Sequence, residues 1–212
     1  TAGNGSDGVQ VGIDVNPEHI HLYFSKKWAP QGYLWVFPKG NGLANVGLGI
    51  AGSKSKTHKP IDYLRNFLRD EFPKASILTT VFGGVCCDKT LDTIVKDGFM
   101  LVGDAAHQVN PISGGGINPG MYAGRLAGEV AAAAVRENDV SAHRLAEYEK
   151  RWHKREGRNH KICYKIKDYV FDFTDEQFNH ISDHALDVPF EKRTLMGIFR
   201  IALQEKPALI LD

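Results

Sequence analysis

Three early stretches alternate apolar and polar residues with period two: Val9, Val11 and Ile13; Ile20, Leu22 and Phe24; Tyr33, Trp35 and Phe37. Such alternation marks half-buried strands, so strands are expected over 9–14, 19–24 and 33–38. Asn16-Pro17 supplies the turn between the first two, and Pro38 stops the third. Lys39-Gly40-Asn41-Gly42 reads as a hairpin turn with 44–50 as its return strand. The Gly/Asn/Ser/Asp-rich opening, 1–8, reads as a loop. The result is an antiparallel sheet with one aromatic-lined face.

After a polar loop over 52–59, Pro60 opens a helix in which Ile61, Leu64, Phe67 and Leu68 recur at helical spacing, and Phe72-Pro73 closes it. A strand is expected over 77–82, followed by Gly83-Gly84. The apolar run 99–102 reads as a strand buried on both faces. Beyond it the pattern is helical over 119–138, 142–169, 175–186 and 190–204. No repeat is present. Sheet first and helices last point to an α+β fold rather than regular βαβ winding. Three regions are expected: a sheet region over 1–92, a strand, Gly-rich turn and helix over 93–140, and a helical region over 141–212.

Composition excludes several classes. Hydrophobic residues make up 42% and charged residues 24% of 212, the balance of an ordinary globular protein. The longest apolar stretch, near 128–135, falls well short of the ~18 residues that span a bilayer. Three cysteines (Cys86, Cys87 and Cys163) are too few for a disulfide framework. With no charged-then-apolar leader, they fit a reducing cytoplasm. A formal charge of +1 exerts no global pull on nucleic acid. Locally the balance differs: 144–167 carries nine Lys/Arg against three Glu, and 168–187 carries six acids without Lys or Arg. The first stretch is a solvated helix face or a peripheral contact for anionic lipid. It lacks aromatic platforms for bases. The nine histidines form no cluster at metal spacing.

The chemistry concentrates in 98–135. The apolar run delivers Gly103-Asp104 at its end, where Gly103 lets a ligand approach the backbone and Asp104 offers a carboxylate to hydroxyls. Gly114-Gly115-Gly116 can turn successive N–H groups into one concavity. Asn118 reads as the N-cap, and Pro119 as the first residue, of a helix whose positive end faces the same spot. Gly120, Gly124 and Gly128 fall four apart, so that helix is expected to pack close against sheet or cofactor.

Gly103-Asp104-Ala105-Ala106, Asn110-Pro111 and Gly114-Gly115-Gly116-Ile117-Asn118 resemble the second FAD-binding motif of flavoproteins with the para-hydroxybenzoate-hydroxylase fold. The stretch Tyr33-Leu-Trp35-Val-Phe37-Pro38-Lys39-Gly40, with 44–49 and Gly83-Gly84, resembles the YxWxFPKG…NVGLG signature of geranylgeranyl reductases. That resemblance implies an FAD enzyme saturating isoprenoid double bonds of archaeal membrane lipids. It draws electrons from an external donor, either NAD(P)H or ferredoxin. Gly103 and Asp104 would hold the ribityl and pyrophosphate side of FAD; Gly115, Gly116, Ile117 and Asn118 would follow the flavin's pyrimidine edge. Tyr33, Trp35, Phe37, Gly83 and Gly84 would line a tunnel for the prenyl lipid.

The strand–GxGxxG–helix unit that opens such enzymes has no counterpart here, so the resemblance implies their C-terminal half. Two alternatives stand beside it. One is another flavoprotein of this fold, a monooxygenase or a quinone-linked oxidoreductase. The other is a non-catalytic isoprenoid-binding fragment. His107, after the GDAA stretch, is a weaker candidate for proton delivery, and the Cys86-Cys87 pair reads as buried or half-buried thiols.

Overall fold

The computed structural model describes residues 4–13, 15–56, 59–189 and 201. Five antiparallel strands, β1 (Asn4–Gly12), β2 (His21–Tyr23), β3 (Tyr33–Gly40), β4 (Leu43–Ile50) and β5 (Ser76–Val85), form one sheet in the order β2-β3-β4-β1-β5. The expected strands of this sheet are present with two corrections: 4–8 belongs to β1, and β3 runs through Pro38 to Gly40. The small polar residues at 4–8 pair with Gly47–Ile50 of β4 on one side and with Val81–Val85 of β5 on the other. Ladder pairing thus overrides the turn-like composition there. The turn between β3 and β4 has Asn41 and Gly42 at φ 54 and 69, the left-handed pair that suits a tight hairpin.

Period two sorts the sheet into two faces. Leu34, Val36, Ala44, Val46, Leu48 and Ile50 are fully buried on one face. There they form a core with Leu64, Phe67 and Leu68 of α1 (Pro60–Glu71), which begins with Pro60 at its N-terminus. Removing the Phe67 ring from this core would cost about 3–5 kcal/mol. The opposite face carries Tyr33, Trp35 and Phe37 in a row, Tyr33 tilted on Trp35 at a centroid spacing of 5.7 Å and Trp35 stacked on Phe37 at 6.0 Å. Beside them β4 places Gly49 opposite Tyr33 and Gly47 opposite Trp35. That face is left free for another use.

A second core lies among the residues from Leu91 to Ala106 and two of the helices. The short hairpin β6 (Val95–Lys96) and β7 (Phe99–Met100) leads to a 3₁₀ turn at Gly103–Ala106 and then to α2 (Ile117–Arg136). Leu126 and Val130 of α2 pack with Leu145, Tyr148 and Trp152 of α3 (Ala142–Trp152). The run 99–102 is not buried on both faces: Phe99 is more than half exposed, because among the described residues β7 pairs only with β6. Gly124 and Gly128 likewise face open space.

The helix expected over 142–169 runs on through a π-helical segment, His153–Gly157, into α4 (Arg158–Phe171). A Cβ on Gly157 would come 2.8 Å from His153 Nδ1, so the side chain above this turn requires glycine below it. Helix α5 (Asp175–Asp187) opens with a full capping box, Thr174 and Gln177. It ties back to the sheet: Asp175 accepts from Ser25 Oγ and the Lys26 amide, and Phe178 stacks on Phe24. The helix expected over 190–204 lies outside the described residues, apart from Ile201. No described helix is long and apolar enough to cross a membrane.

Candidate functional site

The aromatic face of β3 looks across a cavity of about 620 Å³ at the turn 113–119. Tyr33, Trp35 and Phe37 line one side; Gly114, Gly115, Gly116, Ile117, Asn118 and Pro119 line the other. Two regions 80 residues apart in sequence therefore share one space. Tyr33 Oη crosses it, donating to the Ser113 carbonyl at 2.6 Å. Burial, and secondarily the nearby Cys87 thiol, raises the Tyr33 phenol above its ordinary value and keeps it a donor.

The turn is built by Asn110. Its Oδ1 accepts from the amides of Ile112 (2.9 Å) and Ser113 (3.0 Å), an Asx turn that precedes Gly114 at φ 66. Gly114 N–H donates to the Asn110 carbonyl and Gly115 N–H to Ser113 Oγ. Those two amides are spent within the turn. The helix cap is one correction to the expected site: α2 starts at Ile117 with Gly116 as N-cap, and Asn118 and Pro119 fall inside the first turn. Proline fits there because amides of a first helical turn have no intrahelical acceptor. The amides of Gly116, Ile117 and Asn118 have no acceptor among the described residues. With the helix dipole behind them they form the positive end of α2.

Gly103 and Asp104 stand behind this turn, outside the cavity lining. A Cβ on Gly116 would come within 3.2 Å of Asp104 Oδ1 and 3.3 Å of Val109 Cγ2, and one on Gly120 within 3.9 Å of Gly103 Cα. The GD turn and the start of α2 thus meet closely, and a side chain at 116 would press on Asp104 and Val109. Gly103 itself has φ 64, a left-handed conformation that favours glycine. Asp104 is exposed, and its carboxylate has no partner among the described residues. These features fit a dinucleotide: a free carboxylate for hydroxyls, open backbone between, and unpaired amides at a helix N-terminus for an electron-rich ring edge.

Gly83 and Gly84 are not brought to the cavity. They pair with Ser6 and Gly5 on the outermost strand β5, where both are exposed. Val85 and Cys87, just beyond them, reach a second cavity wall instead.

A buried network behind the GD turn has no counterpart in the motif reading. Gln108 Oε1 accepts from Gly103 N–H at 2.7 Å, Gln108 Nε2 donates to Tyr148 Oη at 2.8 Å, and Tyr148 Oη donates to the Leu101 carbonyl at 2.9 Å. Its sequence signal is an amide in an apolar neighbourhood directly after GDAAH. His107 sits at φ 54 with Nδ1 3.2 Å from the Lys89 carbonyl.

His160, 5% exposed, lines the cavity and meets Thr90 Oγ1 through Nδ1 at 3.2 Å. Burial holds its imidazole below the ordinary value, against an opposing pull from the carbonyls of Val109 and His107; burial lowers His153 too. Both rings therefore take up a proton at lower pH in the fold than in the unfolded chain, which does so near pH 6.5. Their contribution to stability is complete above about pH 6.5 and is lost as the pH falls below it. His160→Gln should therefore shrink the drop in urea midpoint between pH 7.5 and 5.5. An undiminished drop would remove His160 from the acid response.

Of the basic stretch, Arg144 pairs with Glu137 and Glu147, Arg151 with Glu129 and Glu147, and Arg155 with Glu156. Lys167 donates to the Cys87 carbonyl at 2.9 Å. Lys150, Lys154, Arg158, Lys161 and Lys165 are exposed and have no ionic partner among the described residues.

Two segments of the chain match known protein families. Residues 6–85 match the family model "geranylgeranyl reductase catalytic domain", and residues 80–160 match the model "FAD binding domain". The chain is 40% identical over 205 residues to a digeranylgeranylglycerophospholipid reductase of Methanosarcina acetivorans, covering 95% of this chain and 50% of that protein. It is 42% identical over 199 residues to digeranylgeranylglycerophospholipid reductase 1 of Methanococcoides burtonii, covering 94% and 49%. The chain thus spans about half the length of the curated relatives it matches. A crystal structure of a geranylgeranyl bacteriochlorophyll reductase-like protein from Thermoplasma acidophilum superposes with a TM-score of 0.89 at 29% identity, covering 98% of this chain and 53% of that one. The flavin-dependent brominase Bmp2, at 17% identity and a TM-score of 0.62, shares the fold alone. In sequence and fold the chain matches about half of a geranylgeranyl reductase-like protein, its first segment along the catalytic-domain model and the next along the FAD-binding model.

Proposed function

We propose that this chain is the C-terminal part of an FAD-dependent oxidoreductase that reduces isoprenoid C=C bonds of geranylgeranyl groups in membrane lipids. The observation that carries the reading is the shared cavity, with three aromatic rings in a row facing a turn that leads into unpaired helix-end amides. When bound, FAD supplies hydride chemistry to the alkene. The protein's part is positional. Asp104 would accept hydrogen bonds from the ribityl chain, with Gly103 giving the backbone access. Gly115 and the amides of Gly116, Ile117 and Asn118 would follow the pyrimidine edge, where reduction places negative charge. Tyr33, Trp35 and Phe37 would hold an isoprene chain by apolar contact and keep water from it. The division at 92 and 140 into sheet, cofactor motif and helical region belongs to the same proposal.

Two partners complete the reading. One is an external reductant, NAD(P)H or ferredoxin. The other is the lipid surface that holds the substrate, met peripherally through 144–167 by the five unpaired cations; each Lys or Arg near an anionic membrane contributes about 1 kcal/mol. The test is anaerobic. Full-length protein, loaded with FAD and chemically reduced, should reoxidise on addition of a geranylgeranyl lipid, with one C=C bond saturated for each flavin reoxidised. Reoxidation by a quinone or by oxygen with an aromatic substrate, but not by the prenyl lipid, would replace this reading with that of another flavoprotein of the fold.

A further inference from the structure

A second cavity, about 130 Å³, lies against the first, and the two share Tyr33, Trp35, Ser113 and Gly114. The residues in common are those of the hydrogen bond from Tyr33 Oη to the Ser113 carbonyl and their immediate neighbours. That bond stands as a partition between the two chambers. The smaller chamber has a wall of its own from Gln31, Gly49, Val85, Cys87, Ile112 and Phe171, apolar apart from Gln31. None of these carries a charge, and Cys87 is buried. We infer that the small chamber seats the far end of the prenyl chain, with the Tyr33–Ser113 bridge as the gate through which the chain enters it. The inference rests on the reading of the large cavity as a prenyl site and adds a subsite that measures chain length.

The dimensions agree. A volume of 130 Å³ is roughly four water-sized volumes, the bulk of about one isoprene unit. Burying four or five carbon groups outweighs one neutral hydrogen bond, so a chain end can displace the bridge. The floor is rigid. Gly32 packs so tightly that a Cβ on it would fall 1.9 Å from the Gly49 carbonyl oxygen, so backbone meets backbone there. Gly49 has nothing within 4 Å of its own Cβ position and no left-handed φ. A side chain at 49 would grow into the chamber without disturbing the strand.

The experiment measures dissociation constants of geranyl, farnesyl and geranylgeranyl alcohols on the FAD-loaded full-length protein. Gly49→Val should weaken geranylgeranyl alcohol tenfold or more, leaving geranyl alcohol and flavin content unchanged. Gly49→Ala should give an intermediate loss, which keeps the test sound if the valine variant folds poorly. Tyr33→Phe, which removes the bridge and keeps the ring, should raise the preference for the longest alcohol over the shortest. Equal weakening of all three alcohols by the Gly49 variants, or no weakening, would overturn the chain-end subsite while the larger cavity's assignment stands. Failure of every alcohol to bind the unaltered protein would overturn both.

Discussion

Replacing Gln108 by leucine should destabilise the protein by about 2–4 kcal/mol. Gln108 is 1% exposed and Tyr148 is fully buried, so neither has water to turn to. Leucine leaves the Gly103 amide without its acceptor and the Tyr148 oxygen without its donor. Each buried polar group left unpaired costs about 1–3 kcal/mol. For a chain of this size that corresponds to a fall in thermal midpoint of roughly 6–12 °C. Tyr148→Phe should cost less, because it strips hydroxyl partners from Gln108 and Leu101 but leaves the Gly103–Gln108 bond in place. The double variant should fall short of the sum of the two, since both act on one network. Strict additivity, or a leucine variant as stable as the parent, would show that the network does not hold the GD turn. The same variant should also release FAD more readily if the bond from the Gly103 amide to Gln108 holds the turn that presents Asp104.

The fold could be read from the sequence wherever period and burial coincide. Leu34, Val36, Val46 and Leu48 alternate in sequence and alternate in the sheet. Pro60 with Leu64, Phe67 and Leu68 gives both the start of α1 and its buried face. Reading failed where pairing or packing decided the outcome. The polar residues at 4–8 carry no strand signal, yet β4 and β5 flank them and satisfy their backbone. At 99–102 an apolar run implied burial on both faces, but hydropathy does not count the neighbours a strand has.

The candidate site divides in the same way. The glycines of the turn and the aromatic stripe announced themselves, because few other uses explain three consecutive glycines before a helix. The position of the cap did not, since Asn118 and Gly116 are both good N-caps and only backbone geometry separates them. Gly83-Gly84 were drawn into the tunnel by association with a motif, whereas the ladder places them on the outer strand. Gln108, Tyr148 and the Tyr33–Ser113 bridge are contacts across 40 and 80 residues. No local pattern encodes such contacts.

Asp104→Ala should produce the opposite signature to Gln108→Leu. Asp104 is exposed, its carboxylate is bonded to nothing among the described residues, and only its backbone carbonyl is used, accepting from the His107 amide at 3.0 Å. Truncating such a side chain changes stability within about 0.5 kcal/mol. If the carboxylate is held in reserve for the ribityl hydroxyls, its loss removes charge-assisted hydrogen bonds. These contribute about 1.5–3 kcal/mol, or a roughly 10- to 150-fold weaker dissociation constant for FAD. Asp104→Asn, which keeps acceptor geometry without the charge, should lie between the two. Titrating FAD into the apo forms of full-length protein, alongside a urea melt of each, separates the cases. An alanine variant that melts normally and loses FAD affinity places the carboxylate on the cofactor. One that melts normally and binds FAD as before would leave the helix-end amides without their partner in holding the dinucleotide, and the assignment of the GD turn would fall.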